Sequence, residues 1–568
     1  MSYKFYPDWY NNPPPARSYR SIFKWGSPSV FKHPNERLLK VIKDRLGMKD
    51  EDFKHKKNTG DETVKIDFPV KLNKIFLKKL EDIVGSENVL TDDYSRLKFA
   101  YGKTMLDLMR LRLKIAENIP DAVVSPRCKD EIKKIIELCD KNLVPITVYS
   151  GGSSVTRGVE CPKGGISLNM QKYMKRILKI NPVNQTVTVQ PGISGPELEK
   201  ALNNAQKLFS TKYNYTCGHF PQSFEYSTVG GWITTRGAGQ NSTYYGKIEN
   251  LVLSQEYLTP AGEIRTGEYP AHAMGPDLNQ VMIGSEGVFG ILVSATLKIF
   301  RLIPHSTRRF SFIFKSWQNA IDATREIMQA QFGFPSIFRL SDPEETEIAL
   351  RMYGADFRII QTFLRVKGYK LGESCLLIGT CDGDDDFTKL LSGKISEIAS
   401  DYKAMSLSGL VAKAWEKSRF KDPYMRDDFL DFGIIVDTLE CSACWDRIEH
   451  VWKRVTETCK KYPRTICMAH ISHFYPQGAN LYFTFFTKED GIKEYLQIQN
   501  DMIGAIRQSG ASLSHHHGIG KMIAPWFEGA VGKEHLDVLK ALKKHFDPNN
   551  IMNPGGTLAL DIPETEKK

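Results

Sequence analysis

Three runs rich in glycine and hydroxyl residues are the parts of this sequence best suited to hold a phosphorylated ligand. The first, residues 150–156, follows an apolar run, the second spans 218–239, and the third spans 283–291. Glycine has no Cβ, so backbone N–H groups in such runs can approach phosphate oxygens closely. A tight turn is the alternative for the first run and an elaborate surface loop for the second. Together the three runs indicate one binding cradle.

Three consecutive histidines, His515, His516 and His517, are a second feature that could do chemistry. Imidazoles exchange protons near neutral pH, and protonated ones can bind phosphate. If the backbone is extended here, His515 and His517 share one side and His516 faces the other. A zinc site is not expected, because no carboxylate or cysteine pattern adjoins the triplet in the sequence. Histidines whose hydrogen bonds are satisfied within a turn are the alternative.

The composition narrows the class of protein. The chain has 568 residues and a net charge of +11 from dispersed lysines and arginines, which indicates a solvated basic surface or attraction to anionic headgroups or a phosphorylated substrate. No apolar run is long enough to span a bilayer. The sequence contains no recognition motif for nucleic acid, so no nucleic-acid partner is expected.

The cysteines and the termini bear on location. The ten cysteines are scattered, which favours a reducing compartment, and the only C-x-x-C pattern, Cys441 with Cys444, has no second pair. The amino terminus does not resemble a signal peptide, and the carboxyl terminus is not a recognisable peroxisomal signal. We therefore expect a cytoplasmic protein, with peripheral attachment at a membrane as a further expectation.

The elements that position the glycine runs can be read from hydrophobic spacing. A short strand at 122–124, a helix with its apolar face at 132–139 and a strand at 144–149 predict a β-α-β unit. Alternating or apolar runs predict further strands at 165–169, 186–190 and 292–300. Ser194 and Glu197 have the spacing of a capping box at the start of another helix.

Changes in the spacing of apolar, charged and glycine residues along the chain predict four parts of an α+β protein. Residues 1–115 read as a mostly helical region and 116–303 as the domain that carries the glycine runs. After Pro304 charged helices alternate with strands, which predicts a second domain over 304–505. Residues 506–568 then form a carboxyl-terminal segment that completes the active site and returns to the glycine-rich domain.

Four segments, at 150–155, 222–231, 235–238 and 284–290, resemble in their sequences and in their order along the chain the flavin domain of the vanillyl-alcohol-oxidase type, also called the PCMH type. The resemblance implies a two-part FAD-binding domain plus a cap domain with an antiparallel sheet and helices. It also implies an extended, non-covalently bound FAD whose pyrophosphate lies on backbone amides. The residues expected to contact FAD are Val148, Tyr149, Ser150, Gly151, Gly152, Ser153, Ser154, Gln222, Ser223, Phe224, Glu225, Tyr226, Ser227, Thr228, Thr235, Arg236, Gly237, Ala238, Gly284, Ser285, Glu286, Gly287, Val288, Phe289 and Gly290.

Within that superfamily, most of the chain resembles the alkyldihydroxyacetonephosphate synthase family of ether-lipid synthesis, most specifically through the histidine triplet at 515–517. The resemblance implies exchange of the acyl chain of acyl-dihydroxyacetone phosphate for a long-chain fatty alcohol, with substrate C1 covalently held on flavin N5 and no net redox change. An FAD-dependent D-2-hydroxyacid dehydrogenase, oxidising lactate or glycolate, is the alternative enzyme. A silent flavin- or lipid-binding protein is the alternative from another class.

The same resemblance implies roles for single residues. Tyr482 matches the catalytic tyrosine, and we expect nearby cations to lower its pKa so that it can move a proton. Arg426 matches a substrate-binding arginine suited to phosphate, and Arg339 a position needed for activity. From pattern alone Tyr482 could simply pack in its strand. We further expect a homodimer, while chain-length preference is not predicted.

Overall fold

The computed structural model describes residues 12–53, 60–353, 357–488 and 491–568. Helices and mainly antiparallel sheets form separate layers, so the predicted α+β class is confirmed. The predicted domain limits at residues 115, 303 and 505 remain predictions. Within the described ranges, no helix is both long enough and apolar enough to cross a membrane.

The amino-terminal region consists of short helices, each begun by a polar capping residue. Its elements are α1 (Tyr19–Phe23), α2 (Glu36–Arg45), α3 (Lys74–Val84), β1 (Val89–Leu90), α4 (Asp93–Lys98) and α5 (Met105–Arg112). Asn35, Asn73 and Asp92 accept a backbone N–H of the first turn, and Thr104 forms a capping box with Asp107. These bonds satisfy N–H groups that have no partner inside the helix.

The first sheet positions the first glycine run. It contains β2 (Ala122–Val124), β3 (Ile146–Tyr149) and β4 (Ile166–Asn169), with α6 (Lys129–Lys141) between β2 and β3. The strand order is β1-β2-β4-β3, and β2 and β3 are both parallel to β4. The predicted β-α-β unit is therefore confirmed, and residues 150–156 directly follow the end of β3.

An antiparallel sheet with strand order β5-β6-β10-β8-β9 holds the other two glycine runs. The elements of this part are β5 (Ile177–Asn181), β6 (Thr186–Val189), α7 (Gly195–Leu202), α8 (Ala205–Phe209), β7 (Tyr215–Thr216), α9 (Val229–Thr234), α10 (Ser242–Tyr245), α11 (Ile248–Leu251), β8 (Val252–Thr259), β9 (Gly262–Arg265), α12 (Leu278–Met282), β10 (Ile291–Lys298) and β11 (Phe300–Arg301). The Ser194 N–H and hydroxyl both donate to Glu197, which confirms the predicted capping box.

Part of the second glycine run forms the helix α9. Glycine is unfavourable inside a helix, so its presence needs a packing reason. A Cβ on Gly230 would lie 2.6 Å from the Pro191 Cβ, so only glycine lets the helix approach that residue. Close helix packing thus overrides the low helix propensity of this run.

The largest sheet has the strand order β15-β12-β14-β13-β17-β19-β16, with β18 paired to β19. Its elements are β12 (Arg308–Phe314), α13 (Trp317–Gln329), β13 (Ile337–Ser341), α14 (Pro343–Tyr353), α15 (Phe357–Val366), β14 (Cys375–Cys381), α16 (Asp385–Asp401), β15 (Met405–Leu407), α17 (Leu410–Ser418), α18 (Arg426–Leu430), β16 (Ile434–Cys444), α19 (Ile448–Lys460), β17 (Thr465–Ile471), β18 (Phe474–Tyr475), β19 (Gly478–Lys488) and α20 (Ile492–Gln508). Helices α13, α16, α19 and α20 contact this sheet and share its core.

Alternation along β19 divides its side chains between the core and a cavity. Leu481, Phe483 and Phe485 are fully buried in the core shared with those helices. Tyr482 and Thr484 point to the opposite face and line the cavity. Successive side chains of a strand point to opposite faces of the sheet. Because the neighbours of Tyr482 are buried in the core, Tyr482 faces the cavity.

The carboxyl-terminal segment returns to the first sheet through α21 (Ala524–Val531) and α22 (Lys533–Phe546). The Ile146 N–H donates to the Ile551 carbonyl at 2.7 Å, and the Asn553 N–H donates to the Ile146 carbonyl at 2.8 Å. These bonds fix the chain beside β3. The loop before α21, which carries the histidine triplet, is thereby held between the two larger parts of the molecule.

Candidate active site

A cavity of about 820 Å³ lies between the glycine runs and the largest sheet. We call its first side the glycine wall, formed by cavity-lining residues of 148–159, 221–240 and 286–292. The second side, the sheet wall, consists of cavity-facing side chains from β13, β14, β16, β17 and β19 with α14, α17 and α18. A third part, the histidine loop at 515–520, reaches both walls. The volume is in the range of sites for large ligands.

The structure separates the predicted FAD contacts into two groups. Those that line the cavity are Val148, Ser150, Gly151, Gly152, Ser153, Ser154, Gln222, Ser223, Thr235, Gly237, Ala238, Glu286, Gly287 and Gly290. Those that lie behind the lining are Tyr149, Phe224, Glu225, Tyr226, Ser227, Thr228, Arg236, Gly284, Ser285, Val288 and Phe289. All three runs therefore meet at one cavity, while the contact made by each residue remains a prediction.

Residues behind the lining hold the runs together. The Thr228 hydroxyl donates to the Ser150 hydroxyl at 2.8 Å, which joins the second run to the first. Glu225 accepts a hydrogen bond of 3.0 Å from the Tyr424 hydroxyl, which lies just before α18. These contacts position the glycine wall against the sheet wall without occupying the cavity.

The glycine wall has room for backbone approach by a flat nucleotide cofactor. A Cβ built on Gly231 would meet only the Thr228 Oγ1, at 3.7 Å, and one on Gly287 only the Val148 Cγ2, at 3.9 Å. Both glycines line the cavity, so a side chain at either would enter space that protein atoms do not fill. Together with the hydroxyls of Ser153 and Ser154, this surface fits the extended FAD that the sequence predicts.

Tyr482 lies on the sheet wall among aromatic and imidazole rings. Its hydroxyl donates to the Thr438 Oγ1 at 3.1 Å, and its ring stacks on His470 with centroids 4.8 Å apart. Burial raises the pKa of Tyr482 to about 12, against the lowering effects of Thr438 and Arg426. The expectation that cations lower this pKa is therefore wrong for this state of the protein, because removal of the phenolate from water outweighs one arginine.

Arg426, the first residue of α18, lines the cavity and has hydrogen-bond donors that are not used by the described residues. Its Nη1 donates to the Lys103 carbonyl at 2.9 Å, whereas Nε and Nη2 are buried and have no hydrogen-bond acceptor among the described residues. Asp437 lies 3.9 Å from Nη2, which is too far for a hydrogen bond. A buried guanidinium with free donors is a suitable receptor for a phosphate group.

Arg339 belongs to a network with Glu345 and His470. It forms an ion pair with Glu345, and its Nη2 lies 3.1 Å from the His470 Nδ1. Burial would raise the pKa of Glu345, but Arg339 and His470 outweigh burial and lower it to about 2. Arg339 thus lines the cavity and contacts His470, which in turn stacks on Tyr482, while its role in activity remains a prediction.

The histidine loop does not have the extended conformation from which the alternation of its rings was predicted. Glu440 accepts the backbone N–H groups of His515, His516 and His517 at 2.7, 3.0 and 3.0 Å, which bends the chain around its carboxylate. His516 and His517 both line the cavity, and His515 lies behind them. The expected pairing of His515 with His517 on one side is therefore wrong.

Two carboxylates hold this loop from opposite ends. Glu440 lies directly opposite Tyr482 in the β16–β19 pairing, whereas Glu286 on the glycine wall accepts the N–H groups of Ile519 and Gly520, both at 2.7 Å. Burial raises the pKa of Glu286 to about 7. Burial also acts on Glu440, but His517 and the donated hydrogen bonds outweigh it and lower its pKa.

Burial lowers the pKa of His515 and His516 well below the usual value, with further lowering by neighbouring imidazoles and Lys247. The pKa of His517 is also lowered by burial, against the effect of Glu440. Neutral imidazoles therefore adjoin a protonated phenol at neutral pH. The phenol can therefore donate a proton to a bound group while an imidazole accepts one from another group.

An apolar lobe continues the cavity beyond Arg426. Its lining includes Leu38, Ile348, Met352, Phe429, Met468 and Phe486. Leu410 at the start of α17 also lines the cavity and is 68% exposed, so the cavity reaches the surface there. The lobe fits a hydrocarbon chain, because it offers many methyl groups and few hydrogen-bonding groups.

Four residues on or beside the sheet wall are not predicted from the sequence: Glu345, Glu440, His470 and His473. Each is a single residue within an otherwise apolar or mixed strand region, so no local pattern marks it. A buried charge inside strand β16 was the only available signal for Glu440. Without the strand register, its position behind Tyr482 could not be predicted.

Two family models match the chain: "FAD binding domain" over residues 120–268 and "FAD linked oxidases, C-terminal domain" over 303–557. A relative named alkyldihydroxyacetonephosphate synthase, from Trypanosoma brucei brucei, is 30% identical over 94% of this chain and 89% of its own length. A solved alkyldihydroxyacetonephosphate synthase structure superposes with a TM-score of 0.73 at 27% identity, covering 86% of this chain and 87% of the other.

A solved p-cresol methylhydroxylase structure has a TM-score of 0.65 at 15% identity, covering 87% of this chain and 98% of that chain. At that identity the likeness concerns the fold alone. With the FAD-binding family match, it confirms the predicted flavin-domain and cap architecture. The fold of the protein, the accessible backbone of the glycine wall and the match to the FAD-binding family all indicate the same cofactor, which is FAD.

Proposed function

This chain belongs to the alkyldihydroxyacetonephosphate synthase family of FAD-dependent enzymes, and we propose that it exchanges the acyl chain of acyl-dihydroxyacetone phosphate for a long-chain fatty alcohol. The products are alkyl-dihydroxyacetone phosphate and a fatty acid. One observation carries the proposal: a single cavity, open at Leu410, joins the glycine wall, the free donors of Arg426, Tyr482 with its imidazoles, and an apolar lobe.

Each part of the cavity has a task in this reaction. The glycine wall would hold FAD, which would supply a nucleophilic ring nitrogen for the exchange at substrate C1. Arg426 binds the substrate phosphate through the donors that no described residue accepts. The apolar lobe takes the hydrocarbon tail of the leaving acid and then that of the incoming alcohol, so the two must bind in turn.

Tyr482 and the histidine loop move the protons. The phenol is protonated at neutral pH because burial raises its pKa to about 12, so it begins as a donor. Neutral His516 and His517 adjoin it and can accept the proton that the alcohol releases. Over one cycle the alcohol proton leaves with the fatty acid, and the phenol and imidazoles return to their starting states.

We further propose that FAD is bound without a covalent link. Among the described residues of the glycine wall that line the cavity, none is a cysteine or a histidine, the side chains with the most suitable nucleophiles. The many backbone and hydroxyl contacts available there favour retention by hydrogen bonds instead. Denaturation should then release all the flavin into solution.

The proposal extends to the surroundings of the enzyme. A cavity that opens at Leu410 and contains an apolar lobe supports collection of lipid substrates at a membrane surface, to which the protein binds peripherally. The free cysteines support a reducing, cytoplasmic setting. A homodimer is proposed as the assembly, which sedimentation of the purified protein tests directly.

The function is tested by incubating the FAD-bound enzyme with acyl-dihydroxyacetone phosphate and a radiolabelled fatty alcohol. A parallel sample receives D-lactate and an electron acceptor. Label in an alkali-stable ether lipid, with no reduction of the acceptor, is the expected outcome. Acceptor reduction without ether formation would instead support a D-2-hydroxyacid dehydrogenase.

A further inference from the structure

His473, which the proposed reaction does not use, joins two members of the histidine triplet. It lies between β17 and β18, and its ring centroid is 4.9 Å from those of both His515 and His516. The Nδ1 atoms of His515 and His516 are 3.0 Å apart. One ring nitrogen from each of the three residues lies within 4.8 Å of the other two.

The outward nitrogens of two of these rings are held by hydroxyl groups. The His473 Nδ1 is 2.6 Å from the Ser242 Oγ, and the His515 Nε2 is 2.6 Å from the Tyr475 hydroxyl. Such contacts fix the ring orientation and leave His473 Nε2 for another ligand. The His515 Nδ1 forms a hydrogen bond with the His516 Nδ1, which a bound ion would replace. Metal-binding histidines are oriented in the same way by outer hydrogen bonds.

The electrostatic surroundings contain both a favourable and an opposing charge. The Glu440 Oε2 lies 3.6 Å from the His516 Nδ1 and would offset part of a cation's charge. Lys247, whose Nζ donates to the His515 carbonyl at 2.6 Å, opposes a cation. Glu440 itself is a poor direct ligand, because its oxygens already accept bonds from Ser514 and the loop backbone.

We propose that His473, His515 and His516 form a binding site for a divalent transition-metal ion such as Zn²⁺. Three neutral imidazoles with a fourth position for water are a common ligand set for Zn²⁺ and Co²⁺, and His473 and His516 line the cavity. Tetrahedral ligands at about 2.1 Å from the ion lie about 3.4 Å apart, so small side-chain rotations complete the site. The sequence argued against zinc because the triplet lacked a partner, and the fold supplies His473.

Metal binding has a consequence for catalysis that rests on the proposed function, although the binding does not. The rings of His516 and Tyr482 are nearly parallel, at 17° and 6.1 Å, and both line the cavity. An ion on His516 removes its proton-accepting nitrogen and places positive charge in front of the phenol. Zn²⁺ therefore inhibits ether formation reversibly, and a chelator restores it.

The test uses FAD-bound enzyme that has been stripped of metal with a chelator and dialysed against Co²⁺ or Zn²⁺. Bound metal is measured by mass spectrometry, and Co²⁺ coordination by its visible absorption. We expect one ion per chain in the wild type and at least ~10-fold weaker binding in His473→Gln, because one of three ligands is lost. Ser242→Ala should weaken binding about 10- to 100-fold by releasing the His473 ring.

His535→Gln is the matched control, because His535 is exposed on α22. Its metal content should equal that of the wild type. Bound-flavin absorbance and circular dichroism show whether each variant is folded. Absence of a bound ion in the wild type, or equal binding by folded His473→Gln and Ser242→Ala, would overturn the proposal. Inhibition of ether formation by Zn²⁺ then reports the consequence separately.

Discussion

The two walls of the cavity solve different physical problems. The glycine wall consists largely of backbone, small residues and hydroxyls, and a Cβ at Gly231 or Gly287 would meet a single atom, no closer than 3.7 Å. The sheet wall instead carries long charged or aromatic side chains, such as Arg426 and Tyr482, on regular elements. The glycine wall would bind through backbone groups that small residues leave accessible, whereas the sheet wall acts through functional groups on its side chains. Cofactor retention and chemistry should therefore be separable by mutation.

Tyr482→Phe should produce the largest effect on the sheet wall. Removal of the hydroxyl abolishes the proton-transfer step, so alkyl transfer should fall about 10²- to 10⁴-fold, while bound flavin per chain stays at the wild-type value. Tyr257→Phe is the matched control, since Tyr257 is a fully buried tyrosine that does not line the cavity. Near wild-type turnover in Tyr482→Phe would break the assignment of chemistry to the sheet wall.

Arg426→Met should weaken substrate binding without affecting FAD. Hydrogen bonds to charged groups contribute about 1.5–3 kcal/mol, so kcat/KM should fall about 10- to 150-fold, mainly through KM for the phosphorylated substrate. Arg309→Met, whose arginine pairs with Glu416 outside the cavity lining, is the control. If an acyl-dihydroxyacetone without phosphate loses as much in the Arg426 variant, the arginine does not bind phosphate.

Gly231→Val should affect the glycine wall in the opposite sense, with loss of FAD and retention of the fold. Filling the approach path costs about 1–3 kcal/mol of binding, so FAD affinity should fall about 5- to 150-fold. Gly504→Ala in α20 is the control, because a Cβ there meets no atom within 4 Å. Unchanged flavin content in folded Gly231→Val would place the cofactor elsewhere.

The smallest expected effect is a difference in pH dependence between the carboxylates at the two ends of the histidine loop. The folded pKa of Glu286 is raised to about 7 from 4.5, so its contribution to stability is full below about pH 4.5 and is lost as pH rises to about 7. The loss is on the order of 3 kcal/mol at most. Glu440, with its lowered pKa, stabilises above its unfolded pKa and loses this as pH falls.

Thermal unfolding at pH 5 and pH 7.5, with saturating FAD, measures this difference. Glu286→Gln should flatten the decrease in stability between these pH values, because it removes the group that titrates there. Glu440→Gln should instead lower the melting temperature at both pH values, because the lowered pKa keeps this carboxylate ionised across that range. Identical pH profiles for the two variants would mean that the carboxylates do not differ in charge state.

The contrast between the walls also explains what the sequence could predict. The glycine runs at 150–156 and 283–291 are each a continuous stretch, so a short sequence pattern is enough to predict their backbone role. Strand β3 is likewise predicted from its own apolar residues. Glu440, His470 and His473 are isolated residues whose meaning depends on how β16, β17 and β19 pair. Strand register is a long-range property that no short pattern contains.

Two expectations failed for reasons that belong to the folded interior. The alternation predicted for His515 to His517 assumed an extended chain, whereas the Glu440 carboxylate gathers three successive N–H groups and bends it. The lowered pKa predicted for Tyr482 considered nearby cations only. Burial depends on the whole fold, and here it outweighs Arg426.

A crystal structure of the FAD-bound protein would show directly whether the glycine wall presents the isoalloxazine ring to the side chains of the sheet wall. We expect the ring to lie between Gly231 and Tyr482, with the phenolic oxygen facing the reactive edge of the ring and the pyrophosphate along 150–154. A ring bound outside this cavity, or separated from Tyr482 by the sheet, would contradict this expectation.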